Sequence, residues 1–267
     1  MHGQLRLEQI WRYPVKSLRG SQLESAVVDA RGIRLDRHWM LVDRQGAFLS
    51  QRQLPRMILV ETRVEDQALR LSAPGMQDLL LPGAHVGDDV AVKVWRDECT
   101  ARVMDPRADA WLSEFLGVEC RLVFLPPGSV RQVDLNYARQ GDQVGFADGF
   151  PFLLISQASL DDLNRRLPAP ISMERFRPNL VISGCDAYAE DSWQRIRIGE
   201  LVFRVVKPCS RCIIPTIDPE TGSRGDAEPL ATLSRYRKHG NNVVFGQNLV
   251  HDGIGSLERG MRVEILD

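Results

Sequence analysis

Leu201-Val202-Phe203-Arg204-Val205-Val206-Lys207-Pro208-Cys209-Ser210-Arg211-Cys212 runs an alternating, valine-rich strand straight into a pair of thiols. Pro208 and Pro215 stand on either side of the pair. Each fixes φ and removes a backbone donor, which predicts a stiff loop at a strand end rather than a helix interior. A thiolate, not a thiol, is the nucleophile and metal ligand, and neighbouring cations favour it. Lys207 and Arg211 are placed to be such cations if their side chains turn toward the sulfurs. The segment therefore predicts a site for something soft and anionic. On the residues alone, zinc, a redox disulfide and plain burial stay open. Zinc needs two further ligands, and Cys99, Cys120 and Cys185 each stand singly. A thioredoxin-type pair would open a helix, which Pro215 and the β-branched Ile213, Ile214 and Thr216 oppose.

The rest of the chain narrows what that site can serve. Its 267 residues suffice for one large domain or two modest ones with a substantial core. With 43% hydrophobic and 26% charged residues the composition is that of an ordinary globular protein. A net charge of -1 supplies no general basic field, so neither nucleic acid nor an anionic membrane is expected as a partner. An anion site must then come from a local cluster of cations. Five cysteines, an odd number, do not form a secreted disulfide framework and point to a reducing compartment. Met1-His2-Gly3-Gln4-Leu5-Arg6 lacks the apolar core of a signal peptide, and no window approaches a membrane span. The expected location is cytoplasmic.

Most of the pattern is strand. Leu5 to Tyr13 alternates with period two until Pro14. Ala26-Val27-Val28, Trp39-Met40-Leu41-Val42 and Met57-Ile58-Leu59-Val60 are further candidates, with Asp43-Arg44-Gln45-Gly46 as a hairpin turn. Leu69-Arg70-Leu71, Asp78-Leu79-Leu80-Leu81 and Val90-Ala91-Val92-Lys93-Val94-Trp95 continue the series. A helix fits residues 108–116, with Asp105 as cap, Pro106 in the first position and Gly117 as stop. Phe124-Leu125-Pro126-Pro127-Gly128 reads as a linker. Ala158, Leu160, Leu163 and Leu167 then have helical spacing behind a Ser156 or Ser159 cap. Asn179 to Ser183, residues 201–206 and Met261 to Leu266 are sheet or barrel strands, and a polar helix is expected over 229–238. Thr221-Gly222-Ser223-Arg224-Gly225-Asp226 reads as a flexible loop. The fold class is α+β, strand-rich, with mostly antiparallel strands.

Four ordered strings carry a family resemblance over nearly the whole chain. Tyr13-Pro14-Val15-Lys16-Ser17-Leu18-Arg19-Gly20 resembles the opening of the N-terminal β-barrel domain that accompanies MOSC domains. Arg175-Phe176-Arg177-Pro178-Asn179-Leu180-Val181-Ile182, followed by Tyr188-Ala189-Glu190-Asp191-Ser192-Trp193, resembles the body of the MOSC domain. Cys209-Ser210-Arg211-Cys212 through Thr216-Ile217-Asp218-Pro219-Glu220-Thr221-Gly222 resembles the family's cofactor loop, and Phe245-Gly246-Gln247-Asn248 its C-terminal signature. The match is nearest to the amidoxime-reducing branch. The resemblance implies a MOSC-type β-barrel plus a smaller N-terminal α/β lobe. It divides the chain into an N-terminal domain at 1–122 and a MOSC domain at 123–267. In a variant of that division the first strands, to about residue 39, complete the C-terminal barrel.

The resemblance further implies a molybdenum cofactor, Mo-molybdopterin, whose pterin dithiolene and one protein cysteine hold the metal. By motif position that ligand and catalytic residue is Cys212, and a thiolate suits such a metal. The implied cofactor contacts are Lys16, Ser17, Arg37, Ser50, Arg52, Ser156, Arg177, Asn179, Ser210 and Arg211. Arginine's planar fork suits a phosphate and the polar edge of a pterin. The implied activity is oxidoreductase: reduction of the N–O bond of small N-hydroxylated substrates, with two electrons and two protons releasing water. No cysteine set for an iron–sulfur cluster occurs up to Asp267, so the electrons are expected from a separate flavin or iron–sulfur reductase. The competing expectation is a molybdenum-cofactor carrier or sulfur-transfer protein, and a third is a cofactor-free binding module. Trp39 and Trp193 are expected in the core. His38, His85, His239 and His251 lack metal-ligand spacing, and His251-Asp252 is a candidate proton relay.

Overall fold

The computed structural model describes residues 4–66, 68–83 and 87–267. His85 lies outside the described residues. The largest unit is a nine-stranded sheet. From one edge it runs through Val263–Ile265, Arg195–Ile198, Leu201–Ser210 and Asn242–Asp252, then Phe152–Ser156, Leu180–Ser183, Arg6–Arg12 and Ser21–Leu23. Lys238–His239 pairs separately with Asn242–Asp252. Arg6–Arg12 lies antiparallel to Leu180–Ser183, so the first strand of the chain is built into the sheet of the second half. Ser25–Asp29 likewise pairs with Gly255–Glu258. The sheet curls on itself: the Leu7 N–H donates to the Met261 carbonyl at 2.9 Å, and the Val263 N–H to Leu5 at 3.0 Å. Inside the curl pack Leu7, Ile10, Phe152, Leu180, Ile196, Phe203 and Leu249, all with at most 1% of their surface exposed.

A second lobe hangs from this barrel. Trp39–Val42, Arg121–Phe124, Asp97–Val103 and Asp89–Val94 form an antiparallel sheet, and Glu61–Glu65, Ala68–Ser72 and Leu79–Leu81 a smaller one. Helix α1, Pro106–Leu116, lies between them and buries Ala108, Trp111, Leu112, Phe115 and Leu116. Its sequence signals act as expected: the Asp105 carboxylate accepts the Arg107 N–H at 2.9 Å, and Gly117 ends the helix at φ 70°. Helix α2, Gln157–Arg166, is the crossover between Phe152–Ser156 and Leu180–Ser183, which pair in parallel. Helix α3, Leu230–Tyr236, is shorter than expected because Lys238 and His239 leave it to pair with the sheet. Trp39 and Trp193 are both buried, as core residues should be.

Three local expectations change. Residues 57–60 are not a strand: Pro55–Leu59 is a 3₁₀ helix in which the neighbours Met57 and Ile58 are both buried. A short apolar run carries no period that separates the two, and Pro55 suits a helical first turn. The cysteine segment is not a loop from Lys207 onward, because Leu201–Ser210 continues as a strand through Cys209. Register shifts between Val205 and Lys207 and between Pro208 and Ser210 bracket the proline, which stays in register opposite Gln247. The polar loop at 221–226 is held in place: the Asp218 carboxylate accepts the Glu220 and Thr221 N–H groups, and the Gly225 N–H reaches the Thr216 carbonyl at 3.0 Å. Among the described residues no helix is long and apolar enough to cross a membrane.

Candidate functional site

At the junction of barrel and lobe is a cavity of about 190 Å³. Lys16, Ser17, Arg37, Arg52, Arg177, Asn179, Ser210, Arg211 and Cys212 all line it, together with Cys209, Phe176 and Asp148. Two of the expected residues do not. The Ser50 hydroxyl is buried against the Gln53 side chain. Ser156 is fully buried and caps α2, its Oγ accepting the Ser159 N–H at 3.1 Å. A hydroxyl satisfied by its own helix start has no reach into the cavity.

The chain bends sharply to aim the lining residues. Ser17, Arg37 and Arg177 have φ of 68°, 57° for Arg177 and 50° for Arg37, a left-handed backbone rare for side chains of this kind. Such residues cost about 1–3 kcal/mol each and persist where surrounding structure over-determines them. Arg177 donates to the Leu18 carbonyl at 2.7 Å, and Arg37 to the Arg177 carbonyl at 3.2 Å. Both guanidinium carbons lie 4.3 Å from the Tyr13 ring centroid. Burial, reinforced by the like charge of Arg37, pushes the Arg177 guanidinium down to about 10. The Lys16 ammonium is likewise held below its ordinary value by burial, which its ion pair with Asp148 only partly offsets. Desolvation opposes ionisation of Asp148, but Lys16 and Arg52 outweigh it and hold the carboxyl well below its usual range.

Each sulfur has an arginine. Arg52 Nη2 is 3.5 Å from Cys212 Sγ and 3.3 Å from Asp148 Oδ2. Arg211 Nη1 is 3.0 Å from Cys209 Sγ, while its Nη2 donates to the Phe176 carbonyl at 2.7 Å. Lys207, expected at the sulfurs, instead places its ammonium 4.3 Å from the Tyr137 ring centroid, a cation–π contact. Cys209 and Cys212 are free thiols, and among the described residues no His, Cys, Asp and Glu cluster could hold a zinc ion. His251 lies outside the cavity, its Nε2 2.6 Å from the Asp29 carbonyl, and Asp252 pairs with Arg204 rather than serving a relay.

Sequence reasoning missed Asp148. An Asp before a glycine reads as a turn, and only the fold brings it to Lys16 and Arg52. The lining thus sets five cationic side chains against one carboxylate. The Arg211 Nε is moreover buried with no partner. An excess of desolvated cations beside a soft sulfur fits a group that joins a phosphate to a sulfur-held metal. The residues present therefore suit the cofactor that the motifs imply.

Residues 4–119 match the family described as MOSC N-terminal beta barrel domain, and residues 141–264 the MOSC domain. The chain is 39% identical to mitochondrial amidoxime-reducing component 1 of Mus musculus, over 97% of this chain and 81% of the relative. For component 1 of Homo sapiens the identity is 37%, over 97% and 82%. Component 2 of Bos taurus is 32% identical over 95% and 81%. The chain belongs to the MOSC family of amidoxime-reducing components. The names of these relatives overturn the cytoplasmic expectation, since they are mitochondrial proteins. That expectation rested on the odd number of cysteines and the polar first six residues, features that do not distinguish one reducing compartment from another.

Proposed function

We propose that this chain reduces the N–O bond of small N-hydroxylated compounds, with a molybdenum cofactor held in the cavity at the junction. The supporting observation is the convergence of nine residues that the resemblance implies, drawn from both halves of the chain, on one cation-rich cavity that contains Cys212. In this reading Cys212 ligates the metal. Lys16, Ser17, Arg37, Arg177, Asn179, Ser210 and Arg211 hold the pterin and its phosphate. When bound, the cofactor supplies the two-electron chemistry at the substrate oxygen. The protein's share is binding and electrostatics. The forks of Arg37 and Arg177, fixed on Tyr13, meet the anion without reorganising. Arg52 keeps its guanidinium beside the Cys212 sulfur. Asp148 stays ionised at neutral pH and can accept a hydrogen bond from an N–H of the substrate. The overall change is R–NH–OH + 2 e⁻ + 2 H⁺ → R–NH₂ + H₂O, with the electrons delivered by a separate flavin or iron–sulfur reductase. The matching domain division is 1–122 and 123–267, with the strands to about residue 39 completing the second unit.

The test is Cys212→Ala in protein from a molybdenum-replete host, assayed with a benzamidoxime and a reduced dye. Wild type should carry molybdenum and fluorescent pterin and turn over. The variant should fold, as judged by circular dichroism, and lose turnover at least 100-fold by analogy with removal of other metal-site groups. Wild type without metal or pterin, or full activity in the variant, would overturn the reading.

A further inference from the structure

The turn between Asp89–Val94 and Asp97–Val103 brings Trp95 of the N-terminal lobe against Arg52 and Asp148, two residues that line the cavity. Trp95 holds φ 58°, unusual for a bulky aromatic, and stays 45% exposed. Its Nε1 donates to Asp148 Oδ1 at 3.1 Å. The Arg52 guanidinium carbon sits 4.6 Å from the indole centroid, and the Phe48 ring tilts against the indole at 5.0 Å. The turn is pinned: buried Arg131 pairs with Asp97 at 2.6 Å and donates to the Ala147 carbonyl at 3.0 Å, beside Asp148.

These contacts decide where Arg52 goes. A guanidinium with free access to a carboxylate forms a two-bond fork. Here Asp148 Oδ1 is taken by Lys16 and by the indole N–H, which leaves only Oδ2 to Arg52. The indole face supports the guanidinium from one side. The same Nη2 is thereby kept within 3.5 Å of Cys212 Sγ. We propose that Trp95 is a positioning residue: acting through Arg52 and Asp148, it holds a guanidinium against the sulfur of Cys212. Its relevance to turnover rests on the function proposed above; the positioning itself does not.

The experiment is a double-mutant cycle on the cofactor-free protein, reading Cys212 alkylation by iodoacetamide through peptide mass spectrometry, with Cys209 as internal comparison. The charge and crowding next to a sulfur set how fast it is alkylated. Arg52→Ala and Trp95→Ala should each slow the Cys212 reaction about fivefold, and the double variant should be no slower than Arg52→Ala alone. Trp95→Phe, which keeps the ring face and loses the N–H, should fall between wild type and Trp95→Ala and guards against a variant that fails to fold. A wild-type rate in Trp95→Ala, or losses that multiply in the double variant, would overturn the proposal. In the loaded enzyme Trp95→Ala should lower kcat by a similar factor with KM within about twofold. Loaded wild type that reduces no N-hydroxylated compound would sink the proposed function alone, because the alkylation cycle decides the role of Trp95 separately.

Discussion

Arg177 combines a left-handed backbone, a buried guanidinium and a like charge at Arg37, each unfavourable by itself. All three at one position make Arg177 a candidate for binding rather than for packing. Histidines at this scale tell a different story. His38 and His251 are buried, and burial holds both below their ordinary value. Their unfolded forms bind a proton near pH 6.5, while the folded forms resist until lower pH. Unfolding therefore takes up protons as pH falls through that window, and stability should drop by up to about 1.4 kcal/mol per pH unit per histidine. Asp148 acts the other way in a lower range: its depressed carboxyl contributes stability that is complete above about pH 4 and lost only in stronger acid. Melting temperature should thus fall from pH 7 to 5.5, and His251→Gln should flatten about half of the slope. A melting temperature that is level or rises on acidification contradicts this assignment.

Helix α2 shows how an element can claim a residue that a motif seems to offer to the site. Ser156 ends a strand, caps the helix and passes its N–H to the buried Glu190 carboxylate at 3.0 Å. Ser156→Ala should cost about 1–2 kcal/mol, or roughly 2–6 °C in melting temperature, with molybdenum content unchanged. Loss of the metal at normal stability would return Ser156 to the cavity. The Phe245-Gly246-Gln247-Asn248 signature has a similar structural side. Gly246 has φ 79°, and a Cβ there would meet the Leu154 carbonyl oxygen at 2.8 Å and Ile155 at 2.6 Å. The glycine lets two strands of the sheet approach, while Asn248, two residues on, lines the cavity and donates to the Lys207 carbonyl at 3.2 Å.

In the whole molecule, neither half owns the site. Lys16, Ser17, Arg37 and Arg52 precede the linker, whereas Arg177, Asn179, Ser210, Arg211 and Cys212 follow it. Contacts across the junction lock the two sets together. Arg19 forks onto Glu174 at 2.7 and 3.0 Å and also reaches Glu220 at 2.6 Å. Arg224 donates to the Arg52 carbonyl at 2.8 Å. Residues 123–267 expressed alone should accordingly retain no molybdenum and should expose the Leu180–Ser183 edge, giving an aggregating product. A soluble fragment that keeps its metal would refute this. Local rules were enough for α1, whose cap, proline and terminal glycine act within a few residues. Period-two alternation likewise marked most strands, and the ordered motifs contain seven of the nine expected residues that line the cavity, all but Arg37 and Arg52. The strand through Cys209, the 3₁₀ turn at Pro55–Leu59, the commitment of Ser50 and Ser156, and the roles of Asp148 and Trp95 depend on partners far away in sequence. The sequence by itself determined which residues can make helices, strands and an anion-binding, thiol-bearing site. Only the tertiary structure decided which of them meet, because burial, ion pairing and left-handed backbone at Ser17, Arg37 and Arg177 are set by neighbours that local sequence does not contain.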